Sequence, residues 1–437
     1  GTVVFWSNRG GASREVGFQA LATVGQPIPM GGADASPSAT LTAVAGDRAY
    51  LAYGDDSGLH VIVHPLAGGD DHTVDLSTTA GANVQWQALV ARDDAVLVYS
   101  YEYSGDKPVH IYALDPGSGA VRWDLHLTSS DSLVPAGPVL LWSDPDGHAV
   151  HGLDPKTGNE RWRVDDPQQD GYAQATRLQA AYSGTDLDAP SPVGDDAPLV
   201  LAGSHVIQTV ADGSARVIDV SNGHLVSANH VAESTDLVVG SGDRFYVASN
   251  SDAYRVTSYS LAKPDDDSAT KNLYTAPDAA HITAMVPCGD GVCVLDRSNS
   301  DPKTATVRMV DASGAHWNRL IAGADRLVPL ASGVIVTGTD GDAFTQVLNA
   351  SGEPVSLGTN GAQATGARVN GTSVLLFKGT LSTYPATVPL TGVGTRSGKV
   401  TPLGTLDGVR AAACSWNSRY LVCPQESQFR VWTFAGA

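Results

Sequence analysis

Four cysteines, twelve histidines and forty aspartates are the residues of this 437-residue chain best suited to chemistry. The cysteines fall as two close pairs, Cys288/Cys293 and Cys414/Cys423. The first pair brackets Gly289-Asp290-Gly291, a tight-turn signal between two apolar strands. Such a turn sets the two cysteines opposite one another, within reach of a cross-strand bridge. The second pair brackets Trp416-Asn417-Ser418-Arg419, another hairpin tip. Two bridged hairpins imply an oxidising compartment. Reduced structural cysteines and a zinc site are the alternatives. For zinc, the C-x4-C and C-x8-C spacings are not those of the usual knuckles.

The other groups form no recognisable constellation. His148 and His151 are three apart on a strand and point to opposite faces, whereas His60 and His64 could share one. No H-E-x-x-H or H-x-H motif accompanies them, so surface or core histidines are the expected reading. Asp144-Pro145-Asp146-Gly147, Asp265-Asp266-Asp267 and Asp340-Gly341-Asp342 could hold Ca²⁺ through oxygen ligands. Their spacings fit no known calcium loop, and solvated turns are expected. No other cofactor is indicated. Gly392-Val393-Gly394-Thr395-Arg396-Ser397-Gly398 is read as a turn rather than a phosphate cradle, because no helix N-terminus follows it. There is no G-x-S-x-G, Walker or G-x-G-x-x-G motif. No catalytic, cofactor-binding or metal residue is therefore assigned, and an enzyme is the less favoured reading.

The bulk properties narrow the class. Apolar residues make up 42% of the chain, enough for a large core, and 71 residues are Gly or Pro. Only six Glu and seven Lys are present, which argues against a helical bundle. A net charge of −19 argues against nucleic acid as a partner. No stretch approaches the ~20 apolar residues that cross a bilayer as a helix. The chain opens on Gly1-Thr2-Val3-Val4-Phe5-Trp6 without an initiator Met, and is expected to be a mature form from which a signal or membrane anchor has been removed.

The elements that must position these residues are repeated. Ile111-Tyr112-Ala113-Leu114-Asp115-Pro116-Gly117-Ser118-Gly119-Ala120-Val121-Arg122-Trp123 recurs 39 residues later as Val150-His151-Gly152-Leu153-Asp154-Pro155-Lys156-Thr157-Gly158-Asn159-Glu160-Arg161-Trp162. Weaker copies end in Asp219-Val220-Ser221-Asn222-Gly223, Asp311-Ala312-Ser313-Gly314 and Asn349-Ala350-Ser351-Gly352. In each, an apolar strand meets an Asp or Asn that can cap a turn, and Gly then supplies a left-handed position. Trp123 and Trp162 are wide plates suited to packing one unit on the next. Two further strands precede each turn. Four short antiparallel strands at a pitch of ~40 residues indicate an all-β propeller.

Candidate blades lie near 41–76, 86–126, 132–164, 198–229, 235–275, 282–320, 325–357, 366–403 and 408–434. The last has only three strands, and its fourth is expected from the N-terminal segment 1–40, within Phe18–Pro29, closing the ring. The scan yields nine units; eight blades are expected after allowing one misreading, with seven to nine compatible. The propeller proper would span 41–437, with a long inserted loop at 165–197.

Residues 113–123 and 152–162 resemble the tryptophan-docking motif, A-x-D-x-x-T-G-x-x-x-W, of the pyrroloquinoline-quinone-like (PQQ-like) propeller repeats. The positions that match are Asp115, Gly119 and Trp123, and Asp154, Gly158 and Trp162. The resemblance is strong over 86–164 and periodic over 41–434. That family includes quinoprotein dehydrogenases, the propeller lipoprotein of the outer-membrane β-barrel assembly machinery, and exported actinobacterial propellers without assigned activity. The Ala-, Asp- and Gly-rich, Lys-poor composition suits the last group. The resemblance implies a fold rather than an activity. Quinoprotein dehydrogenases carry adjacent cysteines over their cofactor; none are adjacent here, so no cofactor residue carries over.

The expected function is an extracytoplasmic, non-enzymatic propeller at the cell envelope, secreted or membrane-anchored, that binds a protein or peptide or serves as a scaffold. A quinone-dependent oxidoreductase or other propeller enzyme is one alternative, and a sensor ectodomain of a membrane protein another. The segment Asp165–Ala197 departs most from the repeat. Its Tyr172, Arg177 and Tyr182 are of the types that anchor interfaces, and it is the expected partner loop.

Overall fold

The computed structural model describes residues 14–31, 39–77, 84–103, 106–128, 131–144, 148–165, 199–202, 204–209, 213–233, 236–249, 254–268, 270–301, 303–331, 333–338, 344–357, 364–379 and 385–436. Their strands form nine separate antiparallel sheets, eight of four strands and one of three. In chain order the blades are 1 (39–77), 2 (84–127), 3 (132–165), 4 (199–228), 5 (237–275), 6 (280–320), 7 (326–349), 8 (364–409) and 9 (415–435). Every unit found by the scan forms its own sheet. The ring therefore has nine blades rather than the favoured eight, since no unit had to be discounted. Blade 7 has three strands, and an isolated bridge from Leu348 to Pro354 stands where a fourth would begin.

The first strands of neighbouring blades touch one another, as Ala39–Ala45 touches Val84–Ala91 and Ala280–Cys288 touches Arg326–Leu330. They line the axis, with one edge unpaired. That free edge accommodates Pro135, Pro287 and Pro329, each on a first strand, because proline withholds no ladder hydrogen bond there. Apolar residues fill the crevices between blades. Blades 2 and 3 meet through Leu97, Tyr99, Ile111, Leu133, Leu140 and Leu153, all buried.

The ring closes through strand Phe18–Pro29, which pairs antiparallel with Gln428–Ala435 and becomes the outermost strand of blade 9. This is the segment expected from the sequence. The residues just before it latch onto blade 8. Val16 donates its N–H to Ser373 Oγ at 2.9 Å. The N–H groups of Arg396 and Ser397 donate to Glu15 Oε1 at 2.6 and 2.9 Å. The glycine-rich stretch 392–398 is thus a turn, and the anion it cradles is the chain's own carboxylate. Burial opposes ionisation of Glu15, but the hydrogen bonds from Ser397 and Arg396 outweigh it and hold the pKa below the usual value.

Both cysteine pairs are disulfide-bonded, Cys288 to Cys293 and Cys414 to Cys423. Each closes a short loop, so removing either bridge by paired Cys→Ala substitution should cost about 2 kcal/mol, the low end of the usual range. Denatured, unreduced protein should show no titratable thiol; four reactive thiols would contradict both pairings.

Candidate functional site

Because neighbouring strands run antiparallel, each blade sends its connections alternately to the two faces of the ring. One face, the turn face, carries the turns between first and second strands and between third and fourth. The other, the loop face, carries the turns between second and third strands and the links to the next blade.

The turn face locks the blades together. In each repeated turn the side-chain oxygen of the Asp or Asn accepts an N–H two residues on: Gly117 to Asp115 at 2.9 Å, Lys156 to Asp154 at 2.8 Å, Ser221 to Asp219 at 2.8 Å, Ser313 to Asp311 at 2.6 Å and Ser351 to Asn349 at 2.9 Å. Bonds from the Ser118 N–H and from Arg122 hold Asp115 down at a pKa of about 2. Arg161 grips Asp154 through both Nε and Nη2, at 3.0 and 2.6 Å. Gly119, Gly158, Gly223 and Gly352 all have φ between +70° and +74°.

On these glycines sits the aromatic plate of the preceding blade. A Cβ on Gly158 would lie 2.9 Å from Trp123, and one on Gly223 3.0 Å from Trp162. The indole N–H then donates to the carbonyl just after the turn Asp: Trp123 to Pro155 at 3.1 Å and Trp162 to Val220 at 2.9 Å. Trp162 also covers Gly152 of its own blade, where a Cβ would collide with the ring. Two further joints obey the same rule. Trp317 lies on Gly352 and donates to Ala350 O at 2.9 Å. Gly119 is covered by Val63 and Val74, and Tyr50 Oη supplies the bond, to Pro116 O at 2.9 Å. Trp317 escaped the motif because its turn is shorter, with six residues from Asp311 to Trp317 against eight from Asp115 to Trp123.

The loop face carries less regular chemistry, including a buried histidine on each of blades 2 and 3. His110 is 7% exposed and His151 3% exposed. Each bonds a carboxylate on the fourth strand: His110 Nε2 to Asp124 Oδ2 at 2.9 Å, and His151 Nδ1 to Glu160 Oε2 at 2.6 Å. Each holds its other ring nitrogen buried and without a hydrogen-bond partner. A second carboxylate, the last residue of the second strand, stands 3.7 Å from it: Glu102 beside His110 and Asp144 beside His151. That separation is too long for a hydrogen bond. Burial lowers the His110 pKa, His126 reinforces the effect, and Asp124 opposes it. Asp131, at the entry to blade 3, is 3% exposed. Burial raises its pKa, and the nearby Asp144 charge adds to the effect.

The remaining histidines do not assemble. His60 bonds Asp75 and Asp55, while His64 bonds Asp71, so the two share a side of the strand but no site. Asp266 spends Oδ1 on Ser268 N–H and Oγ, as a turn would. Residues 145–147 and 339–343 lie outside the described residues, and with them most of two of the aspartate clusters. The same holds for Tyr172, Arg177 and Tyr182. Asp165, expected to begin the long loop, instead ends strand Glu160–Asp165. Thirty-three residues, 166–198, separate it from Leu199, whereas the links entering blades 2, 3, 5, 6, 7 and 9 need only four to eight. The surplus chain leaves from the loop face, beside the blade 3 cluster. Tyr103, 62% exposed, stands on the same face in the turn beside Glu102.

No helix among the described residues is long and apolar enough to cross a membrane. No protein-family model matches the chain, and no curated protein matches it. Similar solved structures include BamB from Moraxella catarrhalis, 15% identical with a TM-score of 0.42, covering 91% of this chain and 99% of that one. They include the computationally designed Ika8 protein, 16% identical with a TM-score of 0.46, covering 80% and 96%. A structure from a study of two prolyl endopeptidases is 13% identical with a TM-score of 0.43, covering 89% and 51%. At these identities and scores none of them transfers a function.

Proposed function

We propose that the chain is an extracytoplasmic, non-enzymatic propeller that binds a protein or peptide partner on its loop face and serves as a scaffold at the cell envelope. The observation that carries this reading is the asymmetry of the two faces. The turn face is occupied with caps and blade-to-blade plates, whose side chains already have partners. The loop face holds an exposed Tyr103 and a 33-residue connection where four to eight residues suffice. Binding residues sit most readily on such loops, held by a rigid frame. The two disulfides fit an oxidising compartment. The docking-motif resemblance of 113–123 and 152–162 supports membership among exported PQQ-like propellers. A membrane tether or a cleaved leader on the N-terminal side of the propeller belongs to the same reading.

Capture from envelope extract tests the reading. Deleting 168–195 with a short Gly-Ser bridge leaves five surplus residues, 166–167 and 196–198, plus the bridge, comparable to the other links. The deletion variant should fold, keep its melting temperature within a few degrees and lose at least tenfold in partner capture. Undiminished capture by the folded variant would contradict the assignment of this segment.

A further inference from the structure

We propose that His110, Asp124 and His126 bind a divalent transition-metal ion of the zinc class at the loop face of blade 2. His110 and His126 are direct cross-strand partners, and Asp124 lies two residues from His126, so all three side chains leave the same side of the sheet. The imidazole rings stack with centroids 3.7 Å apart. One ligand atom from each residue lies within 4.8 Å of the other two, and among the described residues no other group of His, Cys, Asp and Glu meets that condition. His110 Nε2 is 2.9 Å, and His126 Nε2 3.9 Å, from the same Asp124 oxygen. Ligands at the usual zinc distances in a tetrahedron stand ~3.3–3.5 Å apart. The imidazoles must also leave their stack, because the ligating lone pairs lie in the ring planes; His126 and Asp124 can make that movement because their side chains are about half exposed. Two imidazoles and one carboxylate match zinc and its neighbours better than calcium or magnesium, which prefer all-oxygen sites. The three ligands leave the outward position open to water.

Glu102 adds an independent observation. A neutral imidazole carries one N–H. When Nε2–H serves Asp124, the buried Nδ1 presents a bare lone pair toward Glu102 at 3.7 Å, and neither group can donate to the other. An ion on Nε2 reverses this. The Nε2 proton is replaced by the metal and the ring takes the Nδ1–H tautomer, so no net proton is lost. Nδ1–H can then donate to Glu102 once their 3.7 Å separation closes by about half an ångström. A ligating histidine whose other N–H meets a carboxylate is the usual outer shell of a metal site. His151 lacks this arrangement, since the ring beside it is Trp142 rather than a second histidine.

The test uses the full chain without a polyhistidine tag, stripped with EDTA and titrated calorimetrically with ZnCl₂, with Co²⁺ absorption as a second probe of nitrogen and oxygen ligation. One ion per chain is expected, at micromolar dissociation constant or tighter. His126→Ala and Asp124→Asn should weaken binding at least 100-fold, and Glu102→Gln about 10- to 100-fold. His316→Ala, at an exposed pair with Asp311, should leave it unchanged. Folding is checked by circular dichroism; His126→Gln substitutes if His126→Ala unfolds. No binding at 100 µM Zn²⁺, or binding unaltered in both folded His126 and Asp124 variants, would overturn the proposal.

Discussion

Replacing Trp162 with alanine should lower the stability of the ring by roughly 3–5 kcal/mol, the usual cost of emptying a buried aromatic site. The side chain is 8% exposed and wedged between Gly152 of its own blade and Gly223 of the next. Neither glycine has a side chain that could move into the gap. The Val220 carbonyl would also lose its 2.9 Å donor. Trp162→Phe separates the two effects: it keeps most of the plate and loses the N–H, so about 1 kcal/mol should be attributable to the hydrogen bond. Trp123→Ala should cost less, because Trp123 is only half-buried on Gly158. Urea denaturation of the three variants checks the order. Equal stability of Trp162→Ala and the parent would mean that the plates do not hold the blades.

Removing residues 1–30 should have the larger consequence. The strand Phe18–Pro29 covers the free edge of Gln428–Ala435, and Phe18, Ile28 and Met30 are buried against blades 8, 9 and 1. Glu15 and Val16 bind blade 8 a few residues earlier. Without them the ring is open at an unpaired edge flanked by apolar crevices, which invites pairing between chains. The truncated chain should lose cooperative unfolding and aggregate. Phe18→Ala alone should cost about 3–5 kcal/mol. A monomeric truncated protein with the parent melting temperature, by light scattering and calorimetry, would show that closure lies elsewhere.

Much of this architecture is legible in the residues because the repeated unit is local. Asp115 through Trp123 specify a cap, a left-handed glycine and a plate, and the same set at 154–162 sets the period. Even the closing strand could be located, since the last unit visibly lacked a fourth member. The blade number was harder. Blade 9 shows only three strands in the local sequence because its outermost strand lies some 400 residues upstream. Discounting one unit removed a real blade.

The side-chain clusters were not legible at all. His110 and His126 are sixteen apart, too far for the short H-x-H and H-E-x-x-H signatures. They meet only because the register between their strands shifts between Ala113 and Leu114. Glu102 joins them from a third strand. Hydrophobic periodicity shows which residues face a crevice, but not which polar groups end up at its mouth.

The division of labour between the faces, with the loop face recognising a partner and the turn face holding the ring together, is tested most directly by hydrogen–deuterium exchange on the captured complex. Binding should slow exchange in 103–108, 128–131 and 145–148 and in the 166–198 segment, and leave the docking turns 115–120, 154–159 and 219–224 as they are in the free protein. Protection concentrated on the docking turns, with the loop face unchanged, would contradict the account.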